Sequence, residues 1–318
     1  MGIEPGSHQL LILSKDFEDY HHLILQAGLP KLSIQGTKEI AGALEVGKAC
    51  DLLLAEPFLA SQVVCSLPRL KWVQTTWAGV EPLLLPALRR DYTLTNARNV
   101  YGPMMSEFVF GYLLAIERQI IPRWQAQQDQ KWDATTPGSL RGKVIGLVGV
   151  GTIGAHLART ARHFELRVHG YTRHSEDCQE VDKYFHATDW AAFARDLDYL
   201  VCTLPGTPRT RNLVNADSLA ALPSRAWLVN VGRGSTVDES ALVEALTKRT
   251  LAGAVLDVLV DEPLPRHHAL WSTPNTFITA HTAARNYLPD IASLFIDNYR
   301  RFINTQVLLY QVDFDQGY

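Results

Sequence analysis

Residues Lys143–Gly154, which read KVIGLVGVGTIG, decide the fold of this chain. An apolar run rich in β-branched residues comes first, the glycine pattern G-x-G-x-x-G follows, and an amphipathic helical pattern begins at Ile153. A strand, a tight turn and a helix N-terminus in this order are the context in which the pattern binds a dinucleotide. The alternative is an ordinary strand-to-helix corner whose three glycines are incidental.

Each glycine of the pattern has a different expected role. Gly149 allows the tight turn, Gly151 lets the backbone approach a pyrophosphate, and Gly154 lets the helix pack closely on the strand. The free N–H groups at the start of the helix, around Thr152 and Ile153, are expected to bind the pyrophosphate. The sequence therefore predicts a cofactor site at these five residues.

Length, charge and cysteine usage exclude several classes of protein. A chain of 318 residues is long enough for about two domains. Its net charge of −3 offers no basic field for nucleic acid. No apolar run has the length of a membrane span, and no signal peptide is indicated. Cys50, Cys65, Cys178 and Cys202 are scattered, so we expect reduced thiols, no metal site and a cytoplasmic protein.

Short apolar runs alternate with helical patterns along most of the chain, as they do in parallel α/β units. The predicted strands are Gln9–Leu13, Asp51–Ala55, Lys71–Thr75, Tyr92–Thr95, Lys143–Val148, Leu166–Tyr171, Tyr199–Thr203, Trp227–Val231, Leu251–Asp257 and Thr276–Thr279.

Helical periodicity predicts further elements between and after these strands. A helix is expected at Val80–Leu88, and a long one at Pro103–Ile121 that ends at Pro122. Arg123–Leu140 is either a helical extension or an exposed arm. A final helix is expected at Leu288–Asn304.

The order of these elements predicts an α/β protein with two doubly wound parallel-sheet domains. A Rossmann cofactor domain, residues 101–286, is expected to be inserted into a flavodoxin-like substrate domain formed by residues 1–100 and 287–318. In this arrangement the final helix returns to the first domain, and the natural ligand site is the cleft between the domains.

The cofactor type is indicated by the end of the second strand of the glycine unit. An acid there favours NAD, whereas an arginine accommodates the 2′-phosphate of NADP. The strand opens into Thr172, Arg173, His174 and Ser175, without an acid at its end. This favours NADP(H), with NAD(H) as the alternative. In that alternative Arg173 stacks on the adenine or is a solvated charge.

Three further segments follow strand ends, where ligands bind in open α/β sheets. They read VNVGRG at 229–234, DVLVDEP at 257–263 and ITAHTAA at 278–284. Together with the glycine pattern they carry Asn-x-x-Arg-Gly, Asp-Val-x-x-x-Glu-Pro and His-x-Ala in that order. The chain resembles the D-isomer-specific 2-hydroxyacid dehydrogenase family over nearly its whole length.

The resemblance implies that Arg233, Glu262 and His281 are catalytic. A histidine titrates near neutral pH, so His281 is the natural proton donor for a keto oxygen. Glu262 would fix the tautomer of that ring and favour the imidazolium. Arg233 would hold the substrate carboxylate and polarise the keto group.

Other site residues also come from the resemblance. Substrate contacts are expected from Tyr101 and from Trp77, Ala78 and Gly79, whose turn exposes backbone N–H groups. Further cofactor contacts are expected at Leu204, Pro205, Thr210, Val231, Gly232, Asp257, His281 and Ala283, in addition to Thr172, Arg173 and Ser175.

The predicted function is the NADPH-dependent reduction of a small 2-keto acid, glyoxylate or hydroxypyruvate, to the D-2-hydroxy acid. One alternative is an NAD-linked dehydrogenase of a bulkier D-2-hydroxy acid. A second is a non-catalytic protein that senses a dinucleotide. The resemblance also implies a homodimer, built by Pro103–Ile121 and the arm after it. Dimerisation would explain the otherwise exposed Trp124 and Trp132.

Overall fold

A computed structural model describes residues 7–317, which form twelve strands and ten α-helices. They divide into two units. The first contains the residues up to Val100 and those from Asn286 onward, and the second is Tyr101–Arg285. The chain therefore leaves the first unit and returns to it near residue 286. Within the described residues, no helix is long and apolar enough to cross a membrane.

The first unit is built on a five-stranded parallel sheet. Its strands are β1 (His8–Leu13), β2 (Leu32–Thr37), β3 (Leu52–Ala55), β4 (Trp72–Thr75) and β5 (Thr93–Thr95). The order β2-β1-β3-β4-β5 is that of flavodoxin-like folds. The helices after the first three strands are α1 (Phe17–Gln26), α2 (Ile40–Val46) and α3 (Pro57–Val63).

The second unit is built on a seven-stranded parallel sheet. Its strands are β6 (Val144–Val148), β7 (Arg167–Thr172), β8 (Lys183–His186), β9 (Tyr199–Cys202), β10 (Trp227–Asn230), β11 (Gly253–Leu256) and β12 (Thr276–Ile278). The order is β12-β11-β10-β9-β6-β7-β8. Six of these strands reproduce the Rossmann order and β12 extends it, so the predicted fold class is confirmed.

Six α-helices belong to the second unit. They are α4 (Gly102–Glu117), α5 (Ile120–Gln128), α6 (Thr152–His163), α7 (Trp190–Ala194), α8 (Ala216–Ala220) and α9 (Glu239–Thr247). Strands β6, β9 and β11 are buried along their whole length, because helices cover a parallel sheet on both faces.

The last helix, α10 (Leu288–Ile303), packs in the first unit. The ring of Phe295 stacks on Trp72 of β4 with centroids 5.0 Å apart. The amide of Asn298 donates to the side-chain oxygen of Gln74 at 3.1 Å, and both residues are buried. These contacts explain why the C-terminal segment completes the first unit.

The structure contains all ten predicted strands and two further strands, β2 and β8, that the sequence does not predict. Both are edge strands of their sheets, and both are only partly buried. An edge strand lacks the continuous apolar run of a central parallel strand, so its pattern is weaker. Helix α2 is also absent from the prediction.

The predicted helix at Val80–Leu88 is wrong. The structure has only a short 3-10 helix at Glu81–Leu83. Pro82 and Pro86 explain the difference, since each lacks the N–H group that an α-helix needs and Pro86 falls in the predicted interior.

The predicted helix end at Pro122 is also wrong. Helix α4 ends at Glu117, and Gln119 then adopts a left-handed backbone with φ of 53°. Pro122 lies in the first turn of α5, where proline is tolerated because no helical partner is required. The segment Arg123–Leu140 was predicted to be either a helical extension or an exposed arm. It combines both, since it is helical to Gln128 and irregular afterwards.

A buried carboxylate ties α4 to the sheet of the second unit. Glu117 accepts a hydrogen bond from Lys143 Nζ at 2.7 Å and from the hydroxyl of Tyr199 at 2.6 Å. Burial and then the Glu117 carboxylate raise the pKa of Tyr199 well above its ordinary value. The three residues are distant in sequence, so their contact stabilises the packing of α4 on β6 and β9.

We expect Lys143→Met to lower the free energy of unfolding by about 2 kcal/mol, because it leaves the Glu117 carboxylate buried with one donor fewer. Arg141→Met is the matched control. The Arg141–Glu165 ion pair is exposed on both sides, so its loss should change stability by less than about 0.5 kcal/mol. Urea denaturation of both variants measures the difference, and equal effects would contradict the role given to Glu117.

Candidate active site

The turn after β6 has the geometry that the glycine pattern requires. Gly149 has φ of 99°, a backbone region that favours glycine. A Cβ atom on Gly154 would lie 2.3 Å from the carbonyl oxygen of Gly149, so helix α6 and the turn can pack only with glycine there. A Cβ on Gly151 would meet no protein atom within 4 Å. Gly151 therefore faces open space in front of the helix.

The N-terminus of α6 is suited to an anion. Gly151 is its N-cap residue, and no side chain caps the helix. The first N–H groups, at Thr152 and Ile153, are therefore available at the positive end of the helix dipole. The open space at Gly151 and these donors fit the pyrophosphate of a dinucleotide.

The end of β7 presents hydroxyl groups and one cation. Thr172 donates from its hydroxyl to the carbonyl oxygen of Ser175 at 2.7 Å, which closes the loop. The Ser175 hydroxyl donates to Asp177 at 2.9 Å. Arg173 is exposed, and its side chain makes no hydrogen bond or ion pair with residues 7–317. Its guanidinium is thus available to a ligand.

Two loops meet closely beyond β9 and β10. A Cβ on Gly232 would lie 2.8 Å from the carbonyl oxygen of Leu204. The hydroxyl of Thr210 donates to the carbonyl oxygen of Pro205 at 2.7 Å and shapes the first loop. Val231 is buried beneath the second loop. The predicted cofactor residues of both loops therefore lie side by side.

The backbone conformation around Arg233 depends on Asn230, which is not among the predicted site residues. Buried Asn230 donates from its amide to the carbonyl oxygen of Arg233 at 3.0 Å, and its side-chain oxygen accepts from the N–H of Gly232 at 3.2 Å. A Cβ on Gly234 would lie 1.9 Å from the carbonyl carbon of Leu259. The asparagine and the glycine of the Asn-x-x-Arg-Gly pattern therefore fix the backbone around Arg233. The asparagine in that pattern is the sequence signal from which this role of Asn230 could have been predicted.

Asp257 organises the loop after β12. Its buried carboxylate accepts hydrogen bonds from the Thr279 hydroxyl at 2.5 Å and from the N–H groups of Thr282 and Ala283 at 2.8 and 3.0 Å. Its carbonyl oxygen accepts from the N–H of His281 at 2.8 Å. The predicted cofactor residue Asp257 thus positions the histidine.

His281 and Glu262 form a hydrogen-bonded pair. Nδ1 of His281 lies 2.8 Å from one carboxylate oxygen of Glu262. The other oxygen accepts from the N–H of Leu259 at 3.0 Å, which orients the carboxylate. His281 has φ of 54°, and its side chain is 50% exposed. Its Nε2 has no hydrogen-bond partner among residues 7–317, so it can face a ligand.

Three of the predicted substrate residues belong to the first unit. The carbonyl oxygen of Trp77 accepts from the Thr75 hydroxyl at 2.8 Å, and that of Ala78 accepts from the amide of Asn96 at 2.7 Å. The N–H groups of Ala78 and Gly79 donate to no acceptor in the described part of the chain. They are therefore available to an anion.

Tyr101, which is predicted together with Arg233 to contact the substrate, begins the second unit. Its side chain is nearly buried, and that burial raises the pKa of its hydroxyl above the ordinary value. Among residues 7–317 no group of three His, Cys, Asp or Glu side chains could hold a metal ion.

A family model described as "D-isomer specific 2-hydroxyacid dehydrogenase, NAD binding domain" matches residues 110–283, more than half of the chain. The chain belongs to this family. It is an NAD(P)-dependent oxidoreductase that interconverts 2-keto and D-2-hydroxy acids. The cofactor is a nicotinamide dinucleotide, in agreement with the geometry of the glycine turn.

Relatives of this dehydrogenase include proteins named as reductases. Glyoxylate/hydroxypyruvate reductase A of Serratia proteamaculans is 32% identical over 232 residues, which cover 70% of this chain and 74% of the relative. The 2-ketogluconate reductase of Gluconobacter oxydans is 31% identical over 255 residues, which cover 78% and 81%.

Solved structures extend the likeness to almost the whole chain. A D-isomer-specific 2-hydroxyacid dehydrogenase family protein of Aeromonas salmonicida is 37% identical, with a TM-score of 0.92 over 98% of this chain and 100% of that one. An NADPH-dependent glyoxylate/hydroxypyruvate reductase of Sinorhizobium meliloti, in complex with NADP and sulfate, is 25% identical, with a TM-score of 0.86 and the same coverage.

The second and third glycines of the pattern, Gly151 and Gly154, should respond differently to alanine. Gly151→Ala fills open space, so the dehydrogenase should keep its melting temperature but bind NADP⁺ about tenfold more weakly. Gly154→Ala should lower the free energy of unfolding by about 2 kcal/mol, because its Cβ meets a backbone oxygen. Calorimetric binding and thermal unfolding measure both, and tight NADP⁺ binding by Gly151→Ala would contradict the assignment.

Proposed function

We propose that this dehydrogenase reduces a small 2-keto acid of the glyoxylate or hydroxypyruvate type to the D-2-hydroxy acid with NADPH, and that His281 donates the proton. The observation that carries the proposal is the His281–Glu262 pair, 2.8 Å apart, in which Nε2 of the histidine has no hydrogen-bond partner among the described residues. A positioned acid with a free donor is what protonation of a keto oxygen needs.

Glu262 determines which ring nitrogen transfers the proton. Its carboxylate can only accept, so Nδ1 of His281 keeps its proton in both protonation states. Nε2 is then the nitrogen that loses its proton to the developing alkoxide. The hydrogen bond from Leu259 to Glu262 holds the carboxylate in place, which keeps the ring oriented through the reaction.

Arg233 and the Trp77–Gly79 turn are proposed to bind the substrate. The guanidinium of Arg233 offers a fork of donors that matches a carboxylate and polarises the adjacent keto oxygen. The N–H groups of Ala78 and Gly79, which have no acceptor among residues 7–317, offer donors for an anionic group. Tyr101 is proposed to line the substrate site.

The bound nicotinamide supplies the hydride, and this chain supplies position and electrostatics. The proposed contacts to the dinucleotide are Gly149, Gly151, Thr152, Ile153, Gly154, Thr172, Arg173, Ser175, Leu204, Pro205, Thr210, Val231, Gly232, Asp257, His281 and Ala283.

The preference for NADPH rests on the end of β7. No acid stands there, and the exposed Arg173 can pair with a 2′-phosphate. The relative from Sinorhizobium meliloti is described as NADPH-dependent. NADH is the alternative cofactor.

A larger 2-keto acid is the second candidate substrate. The relative in Gluconobacter oxydans is named 2-ketogluconate reductase, so this family accepts sugar acids on a similar chain. A purely sensory role has no support, because the relatives named above are reductases and His281 is present with its carboxylate partner Glu262.

We propose that the protein is cytoplasmic, because all four cysteines are free thiols.

We propose that the protein forms a homodimer through α5 and the arm after it. Four large apolar side chains are exposed there, at 53% for Ile120, 46% for Ile121, 59% for Trp124 and 96% for Trp132. Such a concentration on one segment is typical of an interface. Light scattering should give twice the mass of one chain, and the mass of a single chain would contradict the proposal.

Initial rates with glyoxylate, hydroxypyruvate and 2-ketogluconate, each with NADPH and NADH, test the function. We expect the highest kcat/KM with a small 2-keto acid and NADPH. Preference for 2-ketogluconate would replace the substrate, and preference for NADH would replace the cofactor. Absence of turnover with all three, in protein that binds a dinucleotide, would refute the substrate class.

The same assay tests the proton donor with His281→Gln. We expect kcat to fall by about 100- to 10,000-fold while dinucleotide binding stays nearly intact, because the other proposed dinucleotide contacts remain. His267→Gln is the matched control, because His267 is exposed and its side chain makes no hydrogen bond, ion pair or ring contact in the described chain. Wild-type turnover by His281→Gln would remove this residue from the reaction.

A further inference from the structure

A histidine lies beside the end of β7, where the proposed NADPH preference is decided. Strands β7 and β8 pair in parallel, and Thr172 is the register partner of His186. His186 ends β8. Because both strands end at the same edge of the sheet, His186 lies next to the loop that carries Arg173 and Glu176.

The hydrogen bonds of His186 require a proton on both ring nitrogens. Nδ1 lies 3.1 Å from the carbonyl oxygen of Thr172 and 3.2 Å from its hydroxyl, which donates its own proton to Ser175. Nε2 lies 2.8 Å from a carboxylate oxygen of Glu176. A carbonyl and a carboxylate can only accept, so only the imidazolium form of His186 makes both hydrogen bonds at once.

The charged surroundings of His186 favour that state. The hydrogen bond to Glu176, followed by the one to Thr172, raises the pKa of His186 above its ordinary value. On the side of α7, Asp189 accepts a hydrogen bond from the N–H of His186 at 3.5 Å and adds negative charge. On β8 the ring of Tyr184 stacks on the imidazole at 6.5 Å, and Lys183 lies over Phe185 instead.

Glu176 is the first acid after the end of β7 in the sequence. A free carboxylate in this loop repels a 2′-phosphate, and it can accept a hydrogen bond from the 2′-hydroxyl of NAD. When the Glu176 carboxylate pairs with the imidazolium of His186, its negative charge is neutralised and one of its oxygens already accepts a hydrogen bond. Arg173 is then the cation that a 2′-phosphate meets.

We propose that His186 is a specificity-determining residue, which maintains selection of NADP(H) over NAD(H) by holding Glu176 in an ion pair. The proposal rests on the NADPH preference proposed above and identifies the His186–Glu176 ion pair as the interaction that maintains this preference. It also makes selectivity depend on pH, because loss of the proton from His186 releases the Glu176 carboxylate.

The direction of the pH dependence follows from the raised pKa. The ion pair is complete at pH values below the pKa of His186 and is lost as the pH rises through it. The second pKa of a phosphate is about 6, so the 2′-phosphate stays dianionic above about pH 7. Selectivity for NADP⁺ should therefore fall as the pH rises through the raised pKa of His186.

The experiment compares dissociation constants of NADP⁺ and NAD⁺, measured by calorimetry on the full-length chain at constant ionic strength. Selectivity is the ratio of the NAD⁺ constant to the NADP⁺ constant. At neutral pH, His186→Gln should reduce this ratio about tenfold. Glu176→Gln should keep the ratio high and remove its dependence on pH. The double variant should regain the selectivity that His186→Gln loses.

His174→Gln is the matched control. His174 lies in the same loop, is exposed, and its side chain makes no hydrogen bond, ion pair or ring contact among residues 7–317, so the ratio in His174→Gln should equal that of the wild type. The imidazole resonances of His186, followed by NMR in the ligand-free protein, report its protonation directly. They should titrate at lower pH in Glu176→Gln.

An unchanged ratio in His186→Gln overturns the inference. So does equal weakening of both cofactors, or a double variant that does not recover, because either result indicates a structural role only. The proposed NADPH preference is tested separately, by the wild-type ratio and by Arg173→Ala, which should weaken NADP⁺ far more than NAD⁺. A wild type that prefers NAD⁺ refutes that preference, and the direction of the shift in His186→Gln still decides the inference.

Discussion

The buried carboxylate of Asp257 is the constraint on which the candidate active site depends. It accepts three hydrogen bonds from the loop at 279–283, and the carbonyl oxygen of the same residue accepts from His281. A buried carboxylate is costly unless such donors surround it, so the loop has little freedom to rearrange. His281 is thereby held in a left-handed backbone conformation that places its ring against Glu262. The strain of that conformation is offset by the hydrogen bonds around Asp257.

The parallel sheet explains why residues from distant parts of the chain form one site. All strands of the second unit point the same way, so the segments that follow them emerge at one edge. Glycine permits the close approaches at that edge, at the turn after β6 and between the loops after β9 and β10. The loops there carry Gly149, Thr172, Leu204, Arg233, Asp257 and His281.

The accuracy of the sequence prediction followed the strength of each local signal. Central strands such as β6 are continuous apolar runs, and they were located to within one or two residues. The edge strands β2 and β8 have weaker patterns and were missed. Two prolines account for the two wrong helix predictions, because the effect of a proline depends on its position in a helix. Pro86 prevented a helix that periodicity indicated, whereas Pro122 lies within the first turn of α5.

The sequence by itself determined the α/β class, the dinucleotide turn and the identity of the residues proposed for catalysis. These properties reside in short contiguous patterns, where backbone requirements and side-chain chemistry are legible locally. Only the tertiary structure decided which charged groups neutralise one another. Glu117 meets Lys143 and Tyr199 across 26 and 82 positions, and His186 meets Glu176 only because β8 pairs beside β7. Such pairs depend on distances set by strand register and helix packing, which no single stretch of sequence contains.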